Sequence, residues 1–389
     1  MSLDFQQVQQ QVAAMGERAT QRAEYLRMRR LEALRLVKQW AEHPAALNTR
    51  VQAALAANPN LRCALPLAEP LNAHHALPPL MGGVTILAAD GSQINPDRHA
   101  AVDYCLVNVG AIQIRHGFPE APATSVRSRL FFDDQMYIGT HRITERLVAL
   151  MRDLNERLLL AEIAQQAEQP VITLTDGPLE LWGGSGEIDS RVFHQRFQEY
   201  LGALESLHQC GAIAAGYIDK PRGDLLVRLL EIATLPEGEI DKAGRDFRPL
   251  LGVTDSDLFQ EWLACGERSA VFGIQSRNAH QYTASLSLHF FYLNVGWDED
   301  HPYLVRVEIP AWVTENTALL NILHAALVHQ CGILGKRPYP YILHRSHEVA
   351  VVTEEEKQQL ENMIALELQR RGIAPQQPSH KQAAKTSGA

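Results

Sequence analysis

Apolar residues recur along this chain in two rhythms, one of about 3.6 residues and one of two or fewer. Residues 1–45 follow the first. No Gly or Pro interrupts Glu17 to Glu42, and Tyr25, Met28, Leu31, Leu34 and Leu36 form a ragged apolar stripe, so the stretch predicts helix. Arg27, Arg29, Arg30, Arg35 and Lys38 add a basic face to it, which serves either as a solvated surface or as a docking arm. Residues 64–82, rich in Pro and Leu, predict an extended connector.

Strand-like runs begin at VTILAAD (84–90) and continue through DYCLVNVGAIQIRHG and SVRSRLFF, close enough together for an antiparallel meander. A long amphipathic helix follows over 141–168, closed by Gln-Pro, and then a second buried strand, VITLTDG (171–177). Helix 190–209, strand 212–218 and helix 222–233 come next. Two further strands within 282–309 are split by the acidic turn GWDEDHP. Helices are predicted over 312–331, 346–352 and 353–371. The pattern implies an α/β fold, with residues 1–75 as a helical region and connector, 76–372 as one compact domain and 373–389 as a disordered tail.

Composition narrows the classes. With 46% hydrophobic residues over 389 positions, the chain can bury a substantial core, which excludes disorder throughout. Its 36 basic and 45 acidic residues give a net charge of −9, so any nucleic-acid contact needs a local positive channel. No apolar run approaches the roughly 18 residues of a membrane span. The N-terminus is polar, without the apolar stretch of a secretion signal. Cys63, Cys105, Cys210, Cys265 and Cys331 are scattered and form no CxxC, as expected for reduced thiols. These features together predict a cytoplasmic protein.

Chemistry is concentrated in a few places. Asp90 in ILAADGS and Asp176 in ITLTDGP each follow a buried strand and precede a Gly. Neighbouring strands would bring both carboxylates to one sheet edge, an arrangement suited to divalent cations, although Asp-Gly is also a common turn pair. His344 and His347, three apart, share a helix face, and on spacing alone at least one is expected to be structural. Lys220 and Arg222 stand at a strand–helix junction, where they either hold a phosphate or form a solvated turn. No GxxxxGK[ST], GxSxG or GxGxxG occurs, and GGSGE at 183–187 is a poor phosphate cradle.

In order along the chain come ILAADGS, LLLAEIAQQ, ITLTDGPLELW, GYIDKPRGDLLVRLLE, LACGERSAVF, FFYLN with VRVEIPAW, and PYPYILHRSHEVAVV. Over about residues 84–352 this ordered set resembles the NurA family, nucleases that partner the HerA hexameric ATPase in DNA end processing. The resemblance implies an RNase H-like mixed sheet flanked by helices, with helical additions at both termini and a site holding Mn²⁺ (or Mg²⁺), two ions in all. The family's two aspartates fall on Asp90 and Asp176, its histidine on His347 and its tyrosine on Tyr339. Its helix glutamate falls on Glu162 as first choice, with Glu156 as the alternative. Lys220 and Arg222 are candidates for holding the phosphate, and Arg268 is either a further one or structural.

Three carboxylates and an imidazole suit Mn²⁺ or Mg²⁺ better than zinc. The resemblance further implies a 5′→3′ exonuclease, with ssDNA endonuclease activity as an addition, and a homodimer with a DNA channel docked on a HerA-type ring. A catalytically weak adaptor of that ATPase is the alternative from another class. Hydrolysis of RNA or a nucleotide is a third reading.

Overall fold

The computed structural model describes residues 3–97, 102–139, 141–182, 188–244 and 246–372. The Gly-rich stretch at 183–187 and the tail at 373–389 lie outside the described residues. Two compact units share the chain, Met1–Pro78 with Ile218–Thr314, and Pro79–Tyr217 with Glu315–Ala389. A first division near residue 75 was expected, but the single domain expected from 76 to 372 is not found. Residues 218–314 cluster with the N-terminal helices.

The first unit opens with α1 (Phe5–Trp40) and α2 (Pro44–Ala57), then β1 (Cys63–Pro66) and β2 (His74–His75). Asp4 starts α1 by accepting from the Gln6 and Gln7 amides. The basic face of α1 is largely used within the unit: Arg29 donates to the Leu251 carbonyl, Arg30 pairs with Glu261, and Arg27 pairs with Glu24. The expected connector is in part strand, because β1 supplies its backbone groups to β11, defined below.

The second unit holds β3 (Thr85–Ile94), β4 (Tyr104–Arg115), β5 (Ala123–Phe132), β6 (Tyr137–Ile138), β7 (His141–Arg142), α3 (Glu145–Ala164), β8 (Val171–Asp176), α4 (Ser190–Gln209) and nearly all of β9 (Ile213–Ile218). The chain then returns to the first unit for α5 (Leu225–Thr234), α6 (Asp255–Phe259), β10 (Arg268–Ser269), β11 (Phe272–Gln275), β12 (Leu288–Asn294), β13 (Leu304–Pro310) and α7 (Ala311–Thr314). There β11, β12 and β13 form an antiparallel ladder, with β1 beside β11, and β10 pairs with β2 and β12. Helices α8 (Thr317–Gly332), α9 (Tyr341–Ala350) and α10 (Glu354–Arg370) complete the second unit. No helix among the described residues is long and apolar enough to cross a membrane.

In the second unit the sheet order is β9-β8-β3-β4-β5. β3, β4 and β5 form the antiparallel meander, while β8 and β9 add in parallel to β3. This is the mixed sheet flanked by helices expected from sequence. One expectation fails inside it. Asp90-Gly91 is not a turn, since β3 continues to Ile94 by pairing with β4 beyond the point where β8 ends. A local turn signal is overridden by the antiparallel partner.

Helices α3 and α9 pack on opposite faces of β3 and β4. A Cβ at Gly91 would meet Arg152 and Glu156 of α3, and one at Gly110 would meet Val349 and Ala350 of α9. Gly110 pairs with Asp90, so Asp90 shares the α9 face and Gly91, the next residue, the α3 face.

Candidate active site

Ala89 pairs with Thr175 in the parallel β3–β8 register, and Asp90 and Asp176 follow one residue later on each strand. Equal offset from a paired position puts both carboxylates on the same face of adjacent strands. Asp90 is half-buried and Asp176 exposed. Asp176 is itself paired with Tyr217 of β9, and Gly177, at φ +97°, turns the chain away while its N–H donates to the Tyr217 carbonyl at 2.8 Å.

A polar chain fixes α9 over this point. Ser92 Oγ donates to the Ala350 carbonyl at 2.6 Å, and Asn108 Nδ2 donates to the same oxygen at 2.7 Å. Ser128 Oγ in turn donates to Asn108 Oδ1 at 2.6 Å. With the end of α9 so held, and with no side chain at Gly110 to lift it, His347 Nδ1 stands 2.6 Å from Asp90 Oδ2. His344, one turn earlier, is exposed and lies 3.5 Å from Glu348, which also takes Arg345. Neither histidine is a buried structural one.

The other face carries the sequence RDLNER of α3. Glu156 is buried, and its Oε1 lies 2.7 Å from where a Gly91 Cβ would be. Burial first, and then the charges of Asp153 and Asp90, push its carboxyl well above the ordinary range against the pull of Arg152 and Arg157. Asp153 is raised for the same leading reason, with Arg152 opposing. Arg152 donates to Asp153 at 2.8 Å and lies 3.6 Å from Glu156. Arg157 is buried and donates to Thr175 Oγ1 at 2.7 Å, just before Asp176.

Residues 84–352 match the sequence model of the NurA domain. The chain belongs to the NurA family. A crystal structure of the NurA nuclease from Sulfolobus solfataricus is similar in fold at 12% identity, covering 94% of this chain and 98% of that one with a TM-score of 0.52. The catalytic domain of human endonuclease V matches at 13% identity over 73% of this chain and 85% of that one, with a TM-score of 0.29. Comparison with curated proteins gives no match.

Of the residues that the NurA resemblance implies, Asp90, Asp176 and His347 come together as described. The Tyr339 ring sits edge-on at 5.7 Å against Tyr217, the cross-strand partner of Asp176. Glu162 does not join them. It is exposed and held by Arg127 of β5, whose guanidinium keeps it below the usual carboxylate range. Six residues on a helix is about 240° of rotation, so Glu156 and Glu162 cannot share a face. Of the two glutamates, Glu156 is the one that lies against Gly91, the residue after Asp90, and that feels the charge of Asp90.

Asp153, Arg152 and Arg157 escaped the sequence reading. Their signal was present in the spacing, since 152 and 153 lie one turn before 156 and 157. Lys220, Arg222 and Arg268 belong to the other unit. Lys220 and Arg222 are exposed, with the Lys220 ammonium 5.9 Å above the Tyr303 ring. The helix terminus after them is already used, because the Val227 N–H donates to buried Asp255. Arg268 is only 3% exposed and donates to the Ser269 carbonyl, so it is an interior side chain and not one offered to a phosphate.

Among the described residues no three His, Cys, Asp or Glu side chains stand close enough to form a ready metal shell. The donor set nevertheless fits a hard divalent cation. Burial and the charge of Asp90 raise the proton affinity of both Asp153 and Glu156, and Asp153 raises that of Glu156 further, which is the mark of carboxylates short of positive charge.

Proposed function

We propose that this protein is a divalent-metal-dependent DNA nuclease of the NurA type, using Mn²⁺ or Mg²⁺. The observation that supports it most is the equal offset of Asp90 and Asp176 on adjacent parallel strands, with His347 on Asp90. Asp90, Asp176 and Glu156 would hold the ions, which when bound supply an activated water and neutralise charge on the leaving oxygen. The chain's own groups do the rest. Asp90 orients the His347 imidazole, which can donate to a phosphate oxygen or move a proton at the leaving group. Tyr339, whose ring packs edge-on against Tyr217, would help position the scissile phosphate. Lys220 and Arg222 remain candidates for backbone contacts with DNA.

The family membership also supports action on DNA ends, 5′→3′, by a homodimer working with a HerA-type hexameric ATPase. The chain has no Walker motif of its own, so translocation would come from that partner. The test is degradation of labelled DNA by purified protein with Mn²⁺ or with EDTA, comparing wild type with Asp90→Ala and Asp176→Ala. Metal-dependent cleavage lost in both variants, with circular dichroism unchanged, is the expected result. Full activity in both would sink the assignment. Absence of cleavage with and without the ATPase would favour the adaptor reading.

A further inference from the structure

The cluster on the α3 side contains its own positive charge. The Arg152 guanidinium donates through both Nε and Nη2 to Asp153 Oδ1, at 3.2 and 2.8 Å, and its Nε lies 3.6 Å from Glu156. Burial disfavours the charge of Arg152, and Asp153, Glu156 and Asp90 outweigh that cost. Its stem crosses the backbone of β3 at Gly91, where a Cβ would collide with it, so the guanidinium is aimed at the carboxylates by the strand itself. Arg157, five residues on, is locked in the interior against Thr175 and the Tyr200 ring. Arg152 is different: its side chain is 34% exposed and can swing out to water.

We propose that Arg152 is the resident counter-cation of this carboxylate cluster, and that it sets the affinity for divalent metal by competing for Glu156, the carboxylate it shares with the metal. The inference rests on the metal-dependent reading above. Without metal, Arg152 offsets the repulsion among Asp90, Asp153 and Glu156. A divalent cation brings twice its charge and better geometry for carboxylate oxygens, and displaces it towards solvent. Arg152 is therefore a positioning residue. It keeps the metal-free site folded at the expense of metal affinity.

The test is calorimetric titration of the full chain with Mn²⁺, for wild type, Arg152→Gln, Arg152→Lys and Asp90→Asn, together with melting in EDTA. Arg152→Gln should bind Mn²⁺ about fivefold tighter, the order expected for removing a partly solvated ion pair, and melt earlier in EDTA. A merely structural arginine would give weaker binding when removed, not tighter. Arg152→Lys keeps the charge and should stay within about twofold of wild type.

Equal or weaker affinity in Arg152→Gln, or a lysine variant as tight as the glutamine one, overturns the proposal. If Arg152→Gln is unfolded in EDTA, recovery of its circular dichroism on adding Mn²⁺ is the same result in stronger form, and no recovery overturns it. Wild type that binds no Mn²⁺ and is matched by Asp90→Asn would instead remove the metal reading, and this inference with it.

Discussion

The carboxylate of Glu156 lies against Gly91, its Oε1 2.7 Å from where a Cβ of residue 91 would stand. The glycine is what lets an acid from α3 reach the level of Asp90 from the opposite face of the sheet. Gly91→Ala should therefore displace Glu156 and Arg152. The closest contact would be to Arg152 Cγ, near the base of that side chain, so the fold should lose about 2 kcal/mol, the middle of the range for overpacking. Nuclease activity should fall far more than stability. Urea titration and a DNA cleavage assay on the same preparation check this, and a variant losing both in proportion would contradict it.

The two glutamates of α3 should separate cleanly. Glu156→Gln should lower metal-dependent cleavage by at least about 100-fold, as for loss of a group that stabilises transition-state charge. It should also leave the metal-free protein as stable or more so, because a carboxyl strained by burial and two neighbouring acids is replaced by a neutral amide. Glu162→Gln breaks only an exposed pair with Arg127 and should keep its rate within about twofold. The reverse ranking would restore Glu162 as the site acid.

Gly110→Ala should behave differently from Gly91→Ala. Its Cβ would stand 2.7 Å from the Ala350 amide nitrogen and 2.8 Å from the Val349 carbonyl carbon, and backbone cannot swing aside. The expected cost is about 3 kcal/mol, at the upper end for overpacking. The displaced α9 should carry His347 off Asp90, so activity falls as well. A variant with wild-type melting temperature would show that α9 is not seated as described.

Asp255 gives a pH dependence away from the site. Its burial pushes the carboxyl up to about 7, despite backbone hydrogen bonds from Val227 and Leu226 that pull it down. The folded state thus favours the neutral acid, while the unfolded chain ionises near pH ~4. The stability from this group is complete below about 4 and is lost as pH rises through about 7. Asp255→Asn should abolish that component, so the difference in unfolding free energy between variant and wild type should grow over this window. Parallel curves from pH 4 to 8 would contradict it.

Much of this protein was legible in the chain. Strands β3, β4, β8 and β9 could be read from apolar runs, because a strand buried on both faces must be apolar throughout; β5 is polar and largely exposed. Asp90, Asp176, His347 and Tyr339 were named from an ordered set of motifs, and the structure brings the first three together. Motif matching left the choice between Glu162 and Glu156 to spacing and ignored helical phase, whereas only the turn of α3 that carries Glu156 lies against Gly91. Arg268 could be read either as a phosphate contact or as structural, because burial is invisible in a polar tripeptide such as Glu-Arg-Ser; its burial shows the structural role.

By itself, the sequence determined which segments are strand and helix, and which residue types are available for metal chemistry. Those properties follow from local periodicity and composition. Only the tertiary structure decided that Asp90 lies within a continuing strand, that Glu156 and Arg152 meet it, and that residues 218–314 cluster with the N-terminal helices. Each of these depends on contacts between residues distant in sequence. Register, opposite sheet faces and the room left by a missing Cβ are properties of the packed chain, and no window of neighbouring residues contains them.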